Sequence, residues 1–249
     1  MTENKRLSQL PLEFAAQNLM RREDFMVSKC NSEAYQMIVS WPNWLTSGMV
    51  IYGPKGCGKT HLAHIFADTV MANGEKPVHV GLVPAESVNM RNIKRLSEEN
   101  TSIVIENLSP KADEEALFHL CNIYNSPERY VLWTADMPPS RMQFGLKDLH
   151  SRLNMLPCIE IKEPDDIMLR TLIAKLFNDR QLVVGEDILN YIMNNARRSF
   201  AYIRSLVEEA DYISLVRKVP INYGVIKEAM ERLSDNDTCE PDLFADEIL

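Results

Sequence analysis

The sequence predicts an α/β fold: a five-stranded parallel sheet covered by helices, followed by a small all-helical unit. Three observations carry this. Short apolar runs alternate with amphipathic stretches from residue 49 to residue 161, the pattern of parallel strands joined by crossover helices. The first run leads into Gly53-Pro54-Lys55-Gly56-Cys57-Gly58-Lys59-Thr60, which fits G-x-x-x-x-G-K-[ST] at every fixed position and belongs between a strand and a helix. After Pro164 only helical spacing of apolar residues remains.

Taken in order, Ser32 to about Trp41 reads as a short helix ended by Pro42. Met49-Val50-Ile51-Tyr52 is a continuous apolar run and so a buried strand. Gly58 to Ala72 is the helix that follows the glycine-rich turn. Val78 to Val83 is a strand and Glu86 to Glu98 a helix. Ser102 to Glu106 is a strand with an acid at its C-terminal end. Asp113 to Tyr124 is an amphipathic helix, Tyr130 to Thr134 a strand closed by Pro138-Pro139, Leu146 to Leu153 a short helix, and Cys158 to Ile161 the last strand. Four helices follow, over 165–180, 186–196, 200–216 and 223–233. The expected organisation is a flexible arm over 1–22, an α/β core over 23–163, a helical lid over 164–233 and a disordered acidic tail over 234–249.

Composition narrows the function. Lys+Arg is 27 and Asp+Glu is 35, a formal net charge of -8. That argues against sequence-blind DNA binding, whose affinity comes from neutralising phosphates. The tail carries most of it: residues 234–249 hold Asp235, Asp237, Glu240, Asp242, Asp246 and Glu247 and no Lys or Arg. The five cysteines are scattered, odd in number and without C-x-x-C, so neither a disulfide framework nor a zinc site is expected. The N-terminus has no apolar h-region and no stretch approaches 18 uncharged apolar residues, so no membrane association and a cytoplasmic location are expected.

The glycine-rich turn has a chemical reading. Its glycines let backbone N–H groups curl around phosphate oxygens, and the following helix points its positive end at the anion. Lys59 reaches the β/γ-phosphates and Thr60 offers a hydroxyl to Mg²⁺. Glu106, at the end of the third strand, is the candidate second holder of Mg²⁺ or its water shell. The next position, where an ATPase carries an acid to polarise the attacking water, is Asn107. An amide orients water but cannot take its proton, and a general base contributes about 10²–10⁴-fold. Weak intrinsic ATP hydrolysis is therefore expected.

These motifs, in this order, resemble the AAA+ module of the DnaA-type replication initiator family from about Glu23 to Leu233. Asp24-Phe25-Met26-Val27, then Asn31 and Ala34, is similar to the family's adenine-packing segment. Tyr52 through Thr60, His61 and Leu62 is similar to its P-loop. Leu132-Trp133-Thr134-Ala135-Asp136 resembles its sensor 1 strand, with Asp136 in the polar position. Leu149-His150-Ser151-Arg152-Leu153 resembles the segment whose arginine acts as a finger on a neighbour's nucleotide, and Ile203-Arg204-Ser205-Leu206 its sensor 2 helix. The resemblance thus implies an ADP or ATP site built from residues 53–61 with Met26, Val27, Asn31, Asp136 and Arg204, and an arginine finger, Arg152, acting in trans. Spacing alone leaves open whether Arg197 or Arg198 shares the role of Arg204.

Only 16 residues follow Leu233, too few for the family's DNA-reading domain. With Asn107, this points to the family's shorter, initiator-inactivating homologues. Those carry a clamp-binding peptide of the form Q-L-x-L plus an apolar residue, which Gln9, Leu10, Leu12 and Phe14 fit. The implied function is negative regulation of replication initiation: the protein binds the DNA polymerase sliding clamp and stimulates ATP hydrolysis by the DnaA initiator, touching DNA only indirectly. The alternative is an ATP-driven helicase loader or remodeller. Whether the chain is a monomer or a homodimer is left open by the sequence.

Overall fold

The computed structural model describes residues 22–73, 79–126 and 128–237, the last three of these as backbone. The Gln9–Phe14 peptide and the tail from residue 238 lie outside the described residues. The elements are α1 (Ser32–Val39), β1 (Gly48–Tyr52), α2 (Lys59–Asn73), β2 (Val80–Pro84), α3 (Ile93–Glu99), β3 (Ser102–Glu106), α4 (Glu114–Ile123), β4 (Tyr130–Ala135), α5 (Lys147–Asn154), β5 (Cys158–Glu160), α6 (Asp166–Asp179), α7 (Glu186–Asn195), α8 (Phe200–Arg217) and α9 (Tyr223–Asp237). All strands pair in parallel, in the order β2-β3-β4-β1-β5. The α/β fold class expected from the alternating runs is the one observed.

The apolar runs are continuous because both faces of the sheet are covered. Successive strand residues point to opposite sides. Val50, Ile103, Ile105, Val131 and Trp133 face one cluster, with α4 and α5. Met49, Ile51, Val104 and Leu132 face the other, with α1 and α2. In the second cluster Trp44 stacks on the fully buried Phe66, ring centroids 5.0 Å apart, and its indole N–H donates to the Met37 carbonyl. Helices α6 to α9 close a third core around Ile173, Phe177, Ile192, Leu206, Val207 and Ile226. Asp113, Asp165 and Ser199 cap α4, α6 and α8, each side chain accepting a backbone N–H three residues on.

One expected helix is broken. Residues 86–98 read as continuous, but the chain makes a short 3-10 turn at Ala85–Ser87 and begins α3 only at Ile93. The cause is local. The Asn89 side chain accepts from the Arg91 and Asn92 N–H groups, and Asn92 accepts from the Asn89 N–H and donates to the Ser87 carbonyl. Asn side chains that bind nearby backbone in this way compete with helical pairing.

Burial holds two groups at the end of α4 neutral. It pushes the Cys121 thiol up to about 12, against a smaller opposing effect of the Arg152 charge. It also pushes the Tyr124 hydroxyl, which donates to the Asn100 carbonyl, up to about 12. In an unfolded chain these groups titrate at about 8.5 and 10. Both folded values are raised, so their stabilising effect is complete below about pH 8.5 and is lost as pH climbs towards 12. The urea midpoint is therefore expected to stay level from about pH 7 to 8.5 and to fall above it, with Cys121→Ala flattening the first part of the fall. Denaturation curves across that range check this.

Candidate functional site

A cleft of about 930 Å³ opens above the C-terminal ends of the strands, walled by the β1–α2 turn, the 24–31 segment, the turn after β3 and the start of α8. This is where parallel α/β sheets hold ligands. The turn leaves β1 at Gly53, whose N–H donates to the Ala135 carbonyl at 3.1 Å. A Cβ at Gly53 would lie 2.2 Å from the Ile161 carbonyl oxygen, so only glycine passes there. At Gly56 φ is +75°, and a Cβ would meet the Ser199 Oγ at 2.1 Å. The all-helical unit thus touches the turn through the cap residue of α8.

Lys59 begins α2 with its stem buried. Its ammonium donates to the Gly53 carbonyl at 2.7 Å, the Pro54 carbonyl at 3.1 Å and the Asp136 carboxylate at 3.0 Å. An ammonium has three protons, so a bound phosphate must take the place of at least one acceptor. Asp136 stands half exposed at the end of β4 and is the acceptor free to move. Thr134, two residues earlier, holds the turn after β3. Its Oγ1 accepts the Asn107 N–H at 3.0 Å and its carbonyl accepts the Leu108 N–H at 2.8 Å. Asn107 sits at φ +57°, a left-handed conformation that Asn tolerates better than most residues, and lines the cleft.

On the opposite wall the Phe25 ring stacks on Tyr35 at 5.7 Å and meets His61 edge-on at 5.1 Å. Met26 lines the cleft and also packs on the core of the helical unit. Asn31 is buried with its amide already engaged. Its nitrogen donates to the Met26 carbonyl at 3.0 Å and its oxygen accepts the Ser28 N–H at 2.8 Å. Asn31 therefore shapes the 26–28 turn. The three arginines between which spacing left the choice open separate clearly. Arg198 pairs with Asp166, and Arg197 lies over the Tyr202 ring at 5.6 Å. Arg204 lines the cleft and, among the described residues, has no carboxylate partner.

Of the residues singled out from sequence, Met26, Asn31, Lys55, Gly56, Gly58, Lys59, Thr60, His61, Asn107, Asp136 and Arg204 wall the cleft. Gly53 and Pro54 contribute the carbonyls beneath Lys59. Cys57 turns into the core, where burial raises its thiol pKa, so it is an inert packing group. Val27 and Glu106 are not among the cleft-wall residues; Val27 is exposed, and Glu106 is half-buried at the end of β3. Arg152 is exposed on α5 and lines a different cavity of about 520 Å³, with Trp44, Cys121, Trp133 and Met155. Phe25, Lys111, Phe200 and Glu208 also wall the cleft, although no fixed motif position falls on them. Nothing local marks Lys111; Glu208 was legible as one helical turn beyond Arg204.

The family model of the bacterial DnaA ATPase domain matches residues 17–160, more than half of the chain. The chromosomal replication initiator protein DnaA of Campylobacter fetus is 25% identical over 239 residues, covering 88% of this chain and 54% of that protein. The DnaA of Bdellovibrio bacteriovorus is 25% identical over 202 residues, covering 72% and 41%. The chain thus spans about half the length of the curated relatives it matches. Among solved structures, domain III of Thermotoga maritima DnaA superposes with a TM-score of 0.72 at 20% identity, covering 86% of this chain and 95% of that one. AMPPCP-bound DnaA from Aquifex aeolicus superposes at 0.67 with 19% identity, covering 90% and 74%. The Thermotoga maritima RuvB branch migration motor superposes at 0.66 with 16% identity, covering 89% and 74%. These likenesses show an AAA+ P-loop fold.

Gly56→Ala places a side chain in a left-handed conformation, at about 1–2 kcal/mol, and displaces Ser199 from the turn. Affinity for ADP is expected to fall at least about tenfold with the circular dichroism spectrum unchanged, as read by titration with a fluorescent ADP analogue.

Proposed function

The chain belongs to the bacterial DnaA ATPase-domain family, and on that premise we propose that it is a nucleotide-bound regulator of the Hda type, which stimulates ATP hydrolysis by a DnaA initiator while docked on the sliding clamp. The observation that carries this reading is the division of labour across the molecule. The cleft has cations to hold phosphates but an amide, Asn107, where hydrolysis needs a base. Arg152 stands exposed on α5, away from the chain's own cleft. An arginine so placed can serve a nucleotide held by another chain, and such fingers are worth about 10³–10⁵ in rate.

In this reading the Gly53–Thr60 turn and Arg204 hold the phosphates of ADP or ATP, with Lys59 exchanging Asp136 for a phosphate oxygen. Thr60 is the residue placed to hold Mg²⁺, which would offset the charge of the phosphates; Glu106, off the cleft wall, would act through a water. Met26 and Phe25 face the base. Nucleotide would then set the angle between the helical unit and the sheet, and so the orientation in which Arg152 is offered. Gln9, Leu10, Leu12 and Phe14 would fill the peptide groove of the clamp, where a short extended segment needs no large interface.

Arg152→Ala is expected to bind ADP within about twofold of the native chain while losing nearly all stimulation of initiator ATPase, given the size of finger effects. A phosphate-release assay with purified initiator and DNA-loaded clamp measures this, and full stimulation by the variant refutes the finger. Removing residues 1–14 is expected to abolish clamp binding in surface plasmon resonance and leave ADP affinity intact. Turnover of ATP by the isolated chain at several per second would favour the remodelling motor instead.

A further inference from the structure

We propose that the cavity beside Arg152 is a second ligand site, which takes a small aromatic acid and, when filled, holds the Arg152 guanidinium. The site stands apart from the nucleotide cleft. Its effect on Arg152 rests on the reading of that residue as a finger.

The sheet sets its position. Residues 44–47 and 128–131 line the cavity, and they lead into β1 at Gly48 and β4 at Tyr130. The cavity therefore lies at the N-terminal ends of two central strands, and the nucleotide cleft at the C-terminal ends. Both can be filled at once. Its volume is about 520 Å³. Small-molecule sites span about 300–1,000 Å³, whereas a single water takes up about 30 Å³.

The first observation is a buried donor with nothing to donate to. Trp133 is fully buried and lines the cavity, and its indole N–H has no acceptor among the described residues. Three hydroxyls of the same wall are engaged. Tyr124 donates to the Asn100 carbonyl at 2.9 Å, Ser126 to the Ile123 carbonyl at 2.8 Å and Thr46 to the Gly48 carbonyl at 2.8 Å. Native structures leave few buried donors unsatisfied, and each such group calls for a partner. A ligand oxygen at the inner end of the cavity supplies one.

The second observation is charge nearer the mouth. The wall carries two guanidinium groups, Arg129 and Arg152, and one carboxylate, Glu128. Neither arginine makes an ion pair among the described residues. Arg129 lies half-buried over the Tyr124 ring at 5.6 Å and donates to the Ser97 carbonyl at 2.9 Å through one of its five N–H groups. Arg152 is exposed, and its charge is felt at Cys121, a neutral thiol on the same wall.

The third observation is what lies between. Trp44 and Trp133 offer aromatic faces, and the strongly exposed Leu45 and Met155 stand on the same wall. A flat ring packs well against such faces and covers the exposed pair. Together these features select a ligand with a neutral acceptor at one end, an aromatic body and a carboxylate at the other. A carboxylate that engages the Arg152 fork leaves it fewer donors for a nucleotide held by another chain.

The test is proton–nitrogen NMR of the full chain with ¹⁵N-labelled tryptophan, ADP in excess, titrated with 4-methoxycinnamate. The ether oxygen and carboxylate of this probe stand at opposite ends of a flat body. The chain has three tryptophans, and Trp133→Phe, or Trp41→Phe and Trp44→Phe in turn, identifies the resonance of Trp133. That indole resonance is expected to move downfield and saturate with a Kd of about 1 mM or lower, as suits a probe of this size, while that of Trp41 stays in place. The uncharged methyl ester, and the probe with Arg152→Gln, are each expected to bind about three- to tenfold more weakly, the worth of one hydrogen bond. At about three times Kd, stimulation of initiator ATPase is expected to fall about fourfold by mass action. A Trp133 resonance unmoved at about 10 mM probe, ten times the weakest expected Kd, overturns the site, as does equal binding by acid, ester and Arg152→Gln. Binding that leaves stimulation undiminished overturns the hold on Arg152. A chain that stimulates nothing without probe overturns the finger reading, and the Trp133 titration then decides the site alone.

Discussion

The parallel pairing of β1 with β4 is the constraint on which the cleft depends. Their register sets Tyr52 beside Ala135, so Gly53 and Asp136 leave the sheet level with one another. The Gly53 N–H closes on the Ala135 carbonyl, and Lys59 returns over the gap to meet Asp136. A slip of one residue would reverse every side chain of β1, exposing Val50 to the wrong core and moving Asp136 out of reach of the ammonium. Thr134 in the same strand ties the turn that presents Asn107. One strand end therefore positions both the Lys59 ammonium and Asn107 at the cleft.

The cleft lies where two separately packed cores meet. The sheet supplies one wall, and the helical unit, with a core of its own, supplies the other. Their contacts near the cleft are few and specific. Ser199 rests against the Cα of Gly56, Met26 reaches from the core segment into the helical packing, and Lys175 pairs with Asp24. Seams of this kind are where relative motion of two bodies is cheapest. A ligand that binds both walls holds them at one angle. That gives physical content to the proposed regulatory use of a bound nucleotide.

The surface away from the cleft has a different character. Leu45 and Met155 are strongly exposed apolar residues beside Arg152, and the buried Trp133 lines the same cavity. Exposed apolar groups around a cation are the composition of an interaction surface. In the proposed function this face meets the nucleotide-bearing partner, while the cleft serves the chain's own ligand.

Much of this was legible in the residues. Strict alternation of covered strands and amphipathic helices determined the fold class, because a parallel sheet needs crossovers and buried faces whatever its neighbours. The glycine-rich turn marked which end of the sheet carries the cleft, because a turn of that spacing belongs between the C-terminal end of a strand and a helix start. The tertiary structure decided what local pattern could not. Asn89 and Asn92 broke an expected helix through short-range hydrogen bonds that periodicity does not register. Asn31 has its amide engaged in its own turn, and Cys57 turns inward, because burial decides which groups remain available. Among Arg197, Arg198 and Arg204, spacing left the choice open; only the packing of α8, with Asp166 and Tyr202 engaging the first two, left Arg204 at the cleft. Sequence specifies which groups a chain owns. Which of them stay unpaired and face a common space follows from long-range packing, since partners such as Lys59 and Asp136 stand 77 residues apart.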